Sequence, residues 1–402
     1  MRADNPDLVT VVGIGAGGWS DLGGTGRSTL ADAEVVFGSS RQLDLLPSSV
    51  AASRVPWPSP LVPALPGLLE AHRGQRICVL ASGDPMFHGI GATLVRLRGI
   101  DGVRVIPHPS SASLAAARMG WPLASLDVVS LVTGSADEVR RYLNPGRRVL
   151  VLSRDASSPA AVAALLTSAG YGSARMTVLS ELGGPGESVS GGVAASWSAL
   201  CDPLNVIAVE CGDGPSLSAV PGLPDSAYET DGQLTKREVR AVTLALLGPV
   251  PGELLWDVGG GSGSIGIEWM RSHPSCRAVT VESSPARCAT IRTNAALLGV
   301  PGLSVVEGRA PAVLSGLPAP DAVFIGGGLT ASGVLDACLS SLKSGGRLVA
   351  NAVTVESEAV IGAAYARLGG SLTRLTVSRG SPVGGFTGWR TMMPVTIWSV
   401  TT

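Results

Sequence analysis

The sequence predicts an α/β protein built as two successive parallel-sheet halves. Three observations carry this. Short β-branched runs alternate with Ala/Leu-rich stretches along all 402 residues, the pattern of strand–helix–strand units. Each half opens on a strand that runs into a glycine-rich turn, VVGIGAGG at 11–18 and DVGGGSG at 257–263. Between them lies Cys211–Gly232, rich in Gly, Pro, Ser and Asp and without periodicity, which reads as a linker. The length suits two or three domains, each large enough to bury a core. We expect a first domain over 1–212, a linker over 213–229 and a second domain over 230–402.

In the first half, Leu8–Gly15 reads as the opening strand. Further strands are expected at Ile77–Ala81, Val103–Ile106, Val128–Val132, Arg148–Leu152, Met176–Leu179 and Asn205–Val209, each a β-branched run of strand length. Helices fit at Ser111–Arg118, capped by Ser110 or Ser111, and at Pro159–Ala169, with proline in the first turn. In the second half, Thr235-Lys-Arg-Glu238 fits a capping box that starts a helix running to about Leu247. Strands are expected at Leu254–Val258, Ala278–Glu282, Leu303–Val306, Ala322–Ile325, Arg347–Ala350, Ser371–Val377 and Val395–Val400. Six parallel-type units closed by a late strand predict a doubly wound sheet. The stretch SRGSPVGGFTGWRTMMP (378–394) reads as a glycine-rich loop beside the site.

Composition removes several function classes. Lys and Arg number 30 against 31 Asp and Glu, a net charge of −1. Bulk nucleic-acid binding needs a strong positive footprint, so no nucleic-acid partner is expected. Mean hydropathy is +0.33, yet no run of spanning length is continuously apolar; the longest uncharged run, Ala156–Ala174, is broken by Ser, Thr, Gly and Pro. Two Asp precede the first apolar run, unlike a signal peptide. A cytoplasmic protein with no membrane partner is expected. The six Cys form no CxxC pair and the four His are scattered. They read as buried thiols in a reducing compartment, with no metal site. So few His and no evident triad suggest a reaction whose chemistry a bound cofactor brings.

The sharper motif lies in the second half. A buried strand ends at Asp257, then Gly259, Gly261 and Gly263 follow as GxGxG, then a helix begins. Glycines there let a ligand approach the backbone at the carboxyl end of the first strand. The next strand ends in Glu282, 19 residues beyond Gly263. An acid at that tip can accept from both ribose hydroxyls, the arrangement of a nucleoside site. Nicotinamide dinucleotides and S-adenosylmethionine both use it. The GxGxG form favours S-adenosylmethionine, which has no pyrophosphate needing a helix N-terminus.

With DGQLTKREVR (231–240), EGRAP (307–311), FIGGG (324–328) and NAVTVES (351–357), these residues resemble the C-terminal S-adenosylmethionine-dependent domain of methyltransferases that act on precorrins. That resemblance implies that Thr235, Gly259, Gly260, Gly261, Ser262, Gly263, Glu282 and Ala310 line a cofactor site. The family carries an acid where Arg309 stands, so the backbone around Ala310 is implied to meet the adenine.

The first half carries a different set. Gly13, Gly15 and Gly18 satisfy GxGxxG, a weak match alone. VLASGDPMFHGIG (79–91) places Asp84-Pro85 in a glycine-flanked turn after a strand, and VIPHPSSASLAAARMGW (105–121) follows. In this order they resemble the tetrapyrrole methylase superfamily over roughly residues 8–210. The resemblance implies a fold of two small α/β subdomains. Gly83, Asp84, the backbone around Met86, Ser110 and Ser111 would hold a second S-adenosylmethionine in the cleft between them. VVSLVTGS (128–135) stands where that family often carries a His-Gly-Arg stretch, a departure that falls on substrate contacts.

The tandem resembles the precorrin-6Y C(5,15)-methyltransferase (decarboxylating) family over nearly the whole chain. That implies one S-adenosylmethionine site per domain, a tetrapyrrole substrate (precorrin-6B) and a homo-oligomer. The reaction implied is methylation of carbons 5 and 15 with loss of the ring C acetate carboxyl, giving precorrin-8X in cobalamin biosynthesis. Arginine forks would suit the substrate's acidic arms, with Arg237, Arg240, Arg379 and Arg390 as candidates. Trp389 could stack on the macrocycle, and His88 and His108 could position groups in the first half. A nicotinamide-dependent oxidoreductase, a non-catalytic tetrapyrrole-binding protein and an RNA methyltransferase remain as alternatives at this point.

Overall fold

The computed structural model describes residues 7–402. The chain forms two compact units. One takes the chain up to Ala136 together with Asn144–Pro215; the other takes Asp137–Leu143 with Ser216–Thr402.

The first unit opens with β1 (Val9–Ile14), α1 (Gly24–Ala31), β2 (Val35–Gly38), α2 (Ser40–Asp44), β3 (Ser53–Pro56), α3 (Leu61–Ala71), β4 (Ile77–Ser82), α4 (Ile90–Arg98), β5 (Val103–Ile106) and α5 (Ser111–Met119). Its five strands form a sheet in the order β3-β2-β4-β1-β5, parallel throughout. Alternate residues of β1 feed the two faces. Val9 and Val11 pack with Phe37 and Val79, while Val12 and Ile14 pack with Val36 and Leu80. A parallel sheet covered on both faces needs such near-continuous apolar strands.

The second half of this unit comprises β6 (Asp127–Ser130), β7 (Arg148–Leu152), α6 (Ser158–Ser168), β8 (Arg175–Ser180), β9 (Ser188–Val193) and β10 (Asn205–Glu210). Their order is β6-β7-β10-β8-β9, and only β6–β7 is a parallel pair. The expectation of parallel sheets throughout is therefore corrected here. The connection from β8 to β9 is too short for a crossover helix, so those strands pair as an antiparallel hairpin.

The second unit continues with α7 (Arg237–Leu247), β11 (Leu254–Val258), α8 (Ser264–Ser272), β12 (Arg277–Glu282), α9 (Pro285–Leu297), β13 (Ser304–Glu307), β14 (Ala322–Ile325), α10 (Val334–Ser341), β15 (Arg347–Ala352), α11 (Val355–Leu368), β16 (Ser371–Leu375), β17 (Ser378–Val383), β18 (Phe386–Thr391) and β19 (Val395–Thr401). Seven strands form one sheet ordered β13-β12-β11-β14-β15-β19-β16. β11 to β15 run parallel; β19 lies antiparallel between β15 and β16. The late strand is inserted rather than added at the edge. The chain reverses direction at β11, between β12 and β14, which is where doubly wound sheets bind ligands.

Three sequence expectations are changed here. Within the stretch expected as a linker, 213–229, the part over 222–228 is packed chain: Leu223 and Tyr228 are buried in the second unit's core. Glu268 holds it, accepting from the N–H groups of Gly222 and Leu223 and from the Tyr228 hydroxyl. The capping box at Thr235 is not formed. Lys236 is the N-cap residue of α7 and makes no side-chain cap bond. Instead Asp225, remote in sequence, accepts from the Arg237 N–H at 2.9 Å. Finally, 378–394 is not an irregular loop but largely the two-stranded ribbon β17–β18, with Phe386 and Trp389 exposed. Among the described residues no helix is long and apolar enough to cross a membrane.

Candidate functional site

In the second unit, loops from β11, β12, β13 and β14 converge at the carboxyl edge of the sheet. The Gly259 N–H donates to the Val281 carbonyl, Gly326 N–H to Val258, and Gly308 N–H to Glu282, each at 2.9 Å. Gly259 has φ +78° and its backbone lies against Gly327; a Cβ there would stand 2.5 Å from the Gly327 nitrogen. The glycines at 259–263 thus serve a real close approach, between backbone and backbone.

Glu282 caps this arrangement. Its side chain is buried, with Oε2 accepting from the Gly261 N–H at 3.0 Å and Oε1 from the Ser284 N–H at 2.9 Å. Oε1 also takes a long bond from the Ser283 hydroxyl at 3.4 Å, so Oε2 is the oxygen that keeps further acceptor capacity for a hydroxyl donor. A carboxylate at the strand tip beside bare glycine backbone fits the adenosyl half of S-adenosylmethionine. Thr235 is half-buried, and its carbonyl accepts from Arg240. Ala310 is half-buried after β13, while Arg309 is exposed.

Ser262 plays a different part. It is buried, and its hydroxyl donates to the Gln233 carbonyl at 2.8 Å and stands 2.8 Å from Thr230 Oγ1. Asn294, also fully buried, donates to the Ser262 carbonyl and the Glu229 carbonyl and accepts from the Glu229 N–H. These bonds lock 229–233 onto the glycine turn. Asn294 escaped the sequence reading, although a lone Asn in an apolar helix stripe was the available signal. Gly266 escaped it too: a Cβ there would meet Thr280 Oγ1 at 2.7 Å, so it lets α8 lie close on β11 and β12.

In the first unit a cavity of about 540 Å³ lies between the two sheets, within the usual range for small-molecule sites. The ends of β1, β4 and β5 line one side through Gly15, Gly83 and Ser111; β7, β8 and β10 line the other through Leu152, Leu179 and Asn205. Gly83 has φ +60° and its N–H donates to the Ile14 carbonyl. Asp84, Met86 and Ser110 shape the frame rather than the lining. Asp84 Oδ1 accepts from the Met86 N–H at 2.8 Å and holds the turn. Ser110 is the N-cap of α5, accepting from the Ser113 N–H at 3.0 Å. His88 lines the cavity with a left-handed backbone, φ +53°, and His108 packs against Gly15.

The GxGxxG match at 13–18 belongs to packing. A Cβ on Gly13 would stand 2.3 Å from the Gly83 carbonyl, and one on Gly15 would stand 2.8 Å from His108 Cε1. A short 3-10 helix, Gly18–Asp21, follows directly, and α1 starts only at Gly24. The 3-10 helix is not the long helix whose N-terminus would hold a dinucleotide's pyrophosphate.

The candidate substrate arginines separate. Arg240 is fully buried and donates to Glu268 and to the carbonyls of Thr235 and Leu223, so it is structural. Arg379 is ion-paired to Asp225 and Glu238, and Glu238 in turn is held below its ordinary carboxyl pKa by the Arg379 hydrogen bond. Arg237 and Arg390 are exposed. Cross-strand, Arg379 pairs with Arg390 and Gly380 with Trp389. Among the described residues no group of three His, Cys, Asp or Glu is placed to hold a metal ion.

Two family models match the chain. Residues 8–196 match the tetrapyrrole (corrin/porphyrin) methylases, and residues 226–402 match the precorrin methyltransferase domain. A precorrin-6Y C(5,15)-methyltransferase [decarboxylating] of a Sinorhizobium species is 50% identical over 98% of this chain and 96% of its own. The protein of the same name from Mycobacterium tuberculosis is 50% identical over 98% of this chain and 100% of its own. A shorter relative from Pyrobaculum calidifontis, a probable cobalt-precorrin-6B C(15)-methyltransferase (decarboxylating), is 35% identical over 44% of this chain and 95% of its own.

Proposed function

The chain belongs to the precorrin-6Y C(5,15)-methyltransferase (decarboxylating) family, and from that premise we propose that it methylates precorrin-6B at carbons 5 and 15. In the same proposal it removes the ring C acetate carboxyl as carbon dioxide and yields precorrin-8X for cobalamin biosynthesis. The observation that carries this reading is the match at 50% identity along both whole chains. A decarboxylating methyltransferase follows from the family.

We assign one S-adenosylmethionine to each unit. When bound, it supplies a methyl group already electrophilic on its sulfonium sulfur. The protein's part is then alignment of the electron-rich ring carbon, which can supply much of the acceleration. In the second unit Gly259–Gly263 give bare backbone, Glu282 accepts ribose hydroxyls, and Thr235 and the Ala310 backbone close the sides. In the first unit Gly83 and Ser111 line the cavity, and Asp84, Met86 and Ser110 hold the shape of its loops.

We place carbon 15 and the decarboxylation in the second unit and carbon 5 in the first. The Pyrobaculum relative supports this, because it spans only 44% of the chain and its name carries C(15) and decarboxylation; the second unit is the part that matches the precorrin methyltransferase domain. The free state of all six cysteines supports the cytoplasm as the workplace. The exposed apolar side chains of β17–β18 support a homo-oligomer.

The test is incubation with precorrin-6B and methyl-labelled S-adenosylmethionine, read by mass spectrometry. A gain of two methyls and loss of one carboxyl is expected. Asp84→Ala should impair methylation at carbon 5 alone, and Glu282→Ala should impair carbon 15 and carbon dioxide release. Equal loss of both methylations from either change contradicts separate sites.

A further inference from the structure

We infer that Arg41 and Arg154 are the groups that take the carboxylate arms of the macrocycle in the first unit's cavity, an inference that rests on the methyltransferase reading above. Among the described residues they are the only Arg, Lys, Asp or Glu side chains that line this cavity. One belongs to each half of the unit: Arg41 sits on α2 beside the first sheet, and Arg154 follows β7 of the second.

Among the described residues no carboxylate pairs with either guanidinium. Arg41 Nη2 donates to Ser82 Oγ at 3.3 Å, a long bond to a neutral group. Arg154 donates from Nε to the Leu131 carbonyl at 3.1 Å and from Nη2 to the Gly134 carbonyl at 2.7 Å. Its sequence neighbour Asp155 is engaged in its own turn, accepting from the Ser157 N–H at 2.8 Å and the Ser157 hydroxyl at 2.6 Å. A concave site whose fixed charges share one sign concentrates the opposite sign.

The positions of the two side chains are set by structure, not left to chance. The capping box between Ser39 and Gln42 fixes α2, and Gln42 Nε2 donates to the same Ser82 Oγ at 3.0 Å. Ser82 ends β4, directly before Gly83 of the cofactor turn. The two carbonyl bonds of Arg154 hold its guanidinium from the other side, and Nη1 makes no hydrogen bond among the described residues. A planar fork held in advance loses little freedom when it meets a carboxylate.

The methyl donor does not account for this charge. S-adenosylmethionine carries a sulfonium and an ammonium cation against one carboxylate. Two unpaired guanidiniums in one cavity call for an anionic partner with more than one carboxylate, and the macrocycle with its acetate and propionate arms is such a partner.

The test uses the full chain with precorrin-6B and measures carbon 5 and carbon 15 methylation separately. Arg41→Gln and Arg154→Gln should each raise KM for carbon 5 methylation about tenfold or more, with kcat little changed. Calorimetric affinity for S-adenosylmethionine and carbon 15 methylation should stay at wild-type values. Added KCl should raise the wild-type KM toward that of the variants. Arg154→Lys keeps the charge without the fork and should recover part of the loss. Unchanged KM in both Gln variants, or weakened methyl-donor binding in place of raised KM, overturns the inference. Should Arg154→Gln unfold, Arg41→Gln carries the test, because its one bond to Ser82 is long and dispensable to the fold. If the wild-type chain itself leaves carbon 5 unmethylated, the functional reading fails, and the arginine assignment falls with it.

Discussion

Asp257 ends β11 with its carboxyl 1% exposed, and burial pushes its pKa up to about 7. The Gly266 N–H and the Thr280 hydroxyl, which donate to Oδ2, pull the other way and do not win. In the unfolded chain the carboxyl titrates near its ordinary value of 3.8. Between about pH 4 and pH 7 the folded state therefore binds more protons than the unfolded one. Stability of the second unit should fall as pH rises through that window, by a ceiling of about 4 kcal/mol. Asp257→Asn keeps an acceptor for Gly266 but cannot ionise. Denaturant unfolding at pH 5 and pH 8 should show a smaller drop for Asp257→Asn than for wild type. An equal drop in both proteins would place the titrating group elsewhere.

At the scale of elements, the buried pair Arg240–Glu268 anchors the segment that leads into α7. Arg240 Nε donates to Glu268 at 2.6 Å, and both side chains are essentially inaccessible. Through Gly222, Leu223 and Tyr228 the pair fastens 222–228 onto α8, and the Thr235 carbonyl is held by the same guanidinium. Arg240→Ala would leave the Glu268 carboxylate buried without its cation, which costs about 3–5 kcal/mol. A lowered melting temperature is expected, together with weaker S-adenosylmethionine binding at the second site, because Thr230 and Gln233 brace the glycine turn through Ser262. A melting curve identical to wild type would show that the pair contributes nothing to holding this segment.

At the scale of the molecule, each unit has its own sheet system and its own candidate nucleoside site. Titration calorimetry of the full chain should give two S-adenosylmethionine molecules per chain. Glu282→Gln should reduce this to one at low ligand concentration, because one of the two carboxylate acceptors becomes a donor. A wild-type stoichiometry of one would remove the two-site reading.

Much of this was legible in the sequence, and the misses have physical causes. β11, with Leu254, Leu255 and Trp256 buried, and β7, with Val149 and Val151 buried, announce themselves because strands covered on both faces must be continuously apolar. β3 and β9 stayed hidden: their residues are mostly exposed, so SRVP and SVSGGV carry no alternation to read. The glycine turns were visible because backbone packed on backbone tolerates no Cβ, which is a local demand on residue type. Asp225 at the start of α7, Glu268 behind 222–228, and Arg41 with Arg154 in one cavity depend on residues from a dozen to more than a hundred positions apart. No local rule relates such residues. The sequence by itself determined the α/β class, the two glycine turns and the acid at 282, because each is required by its immediate neighbours. Only the tertiary structure decided which arginines are buried braces and which face a cavity unpaired, because that depends on which carboxylates the fold brings to them.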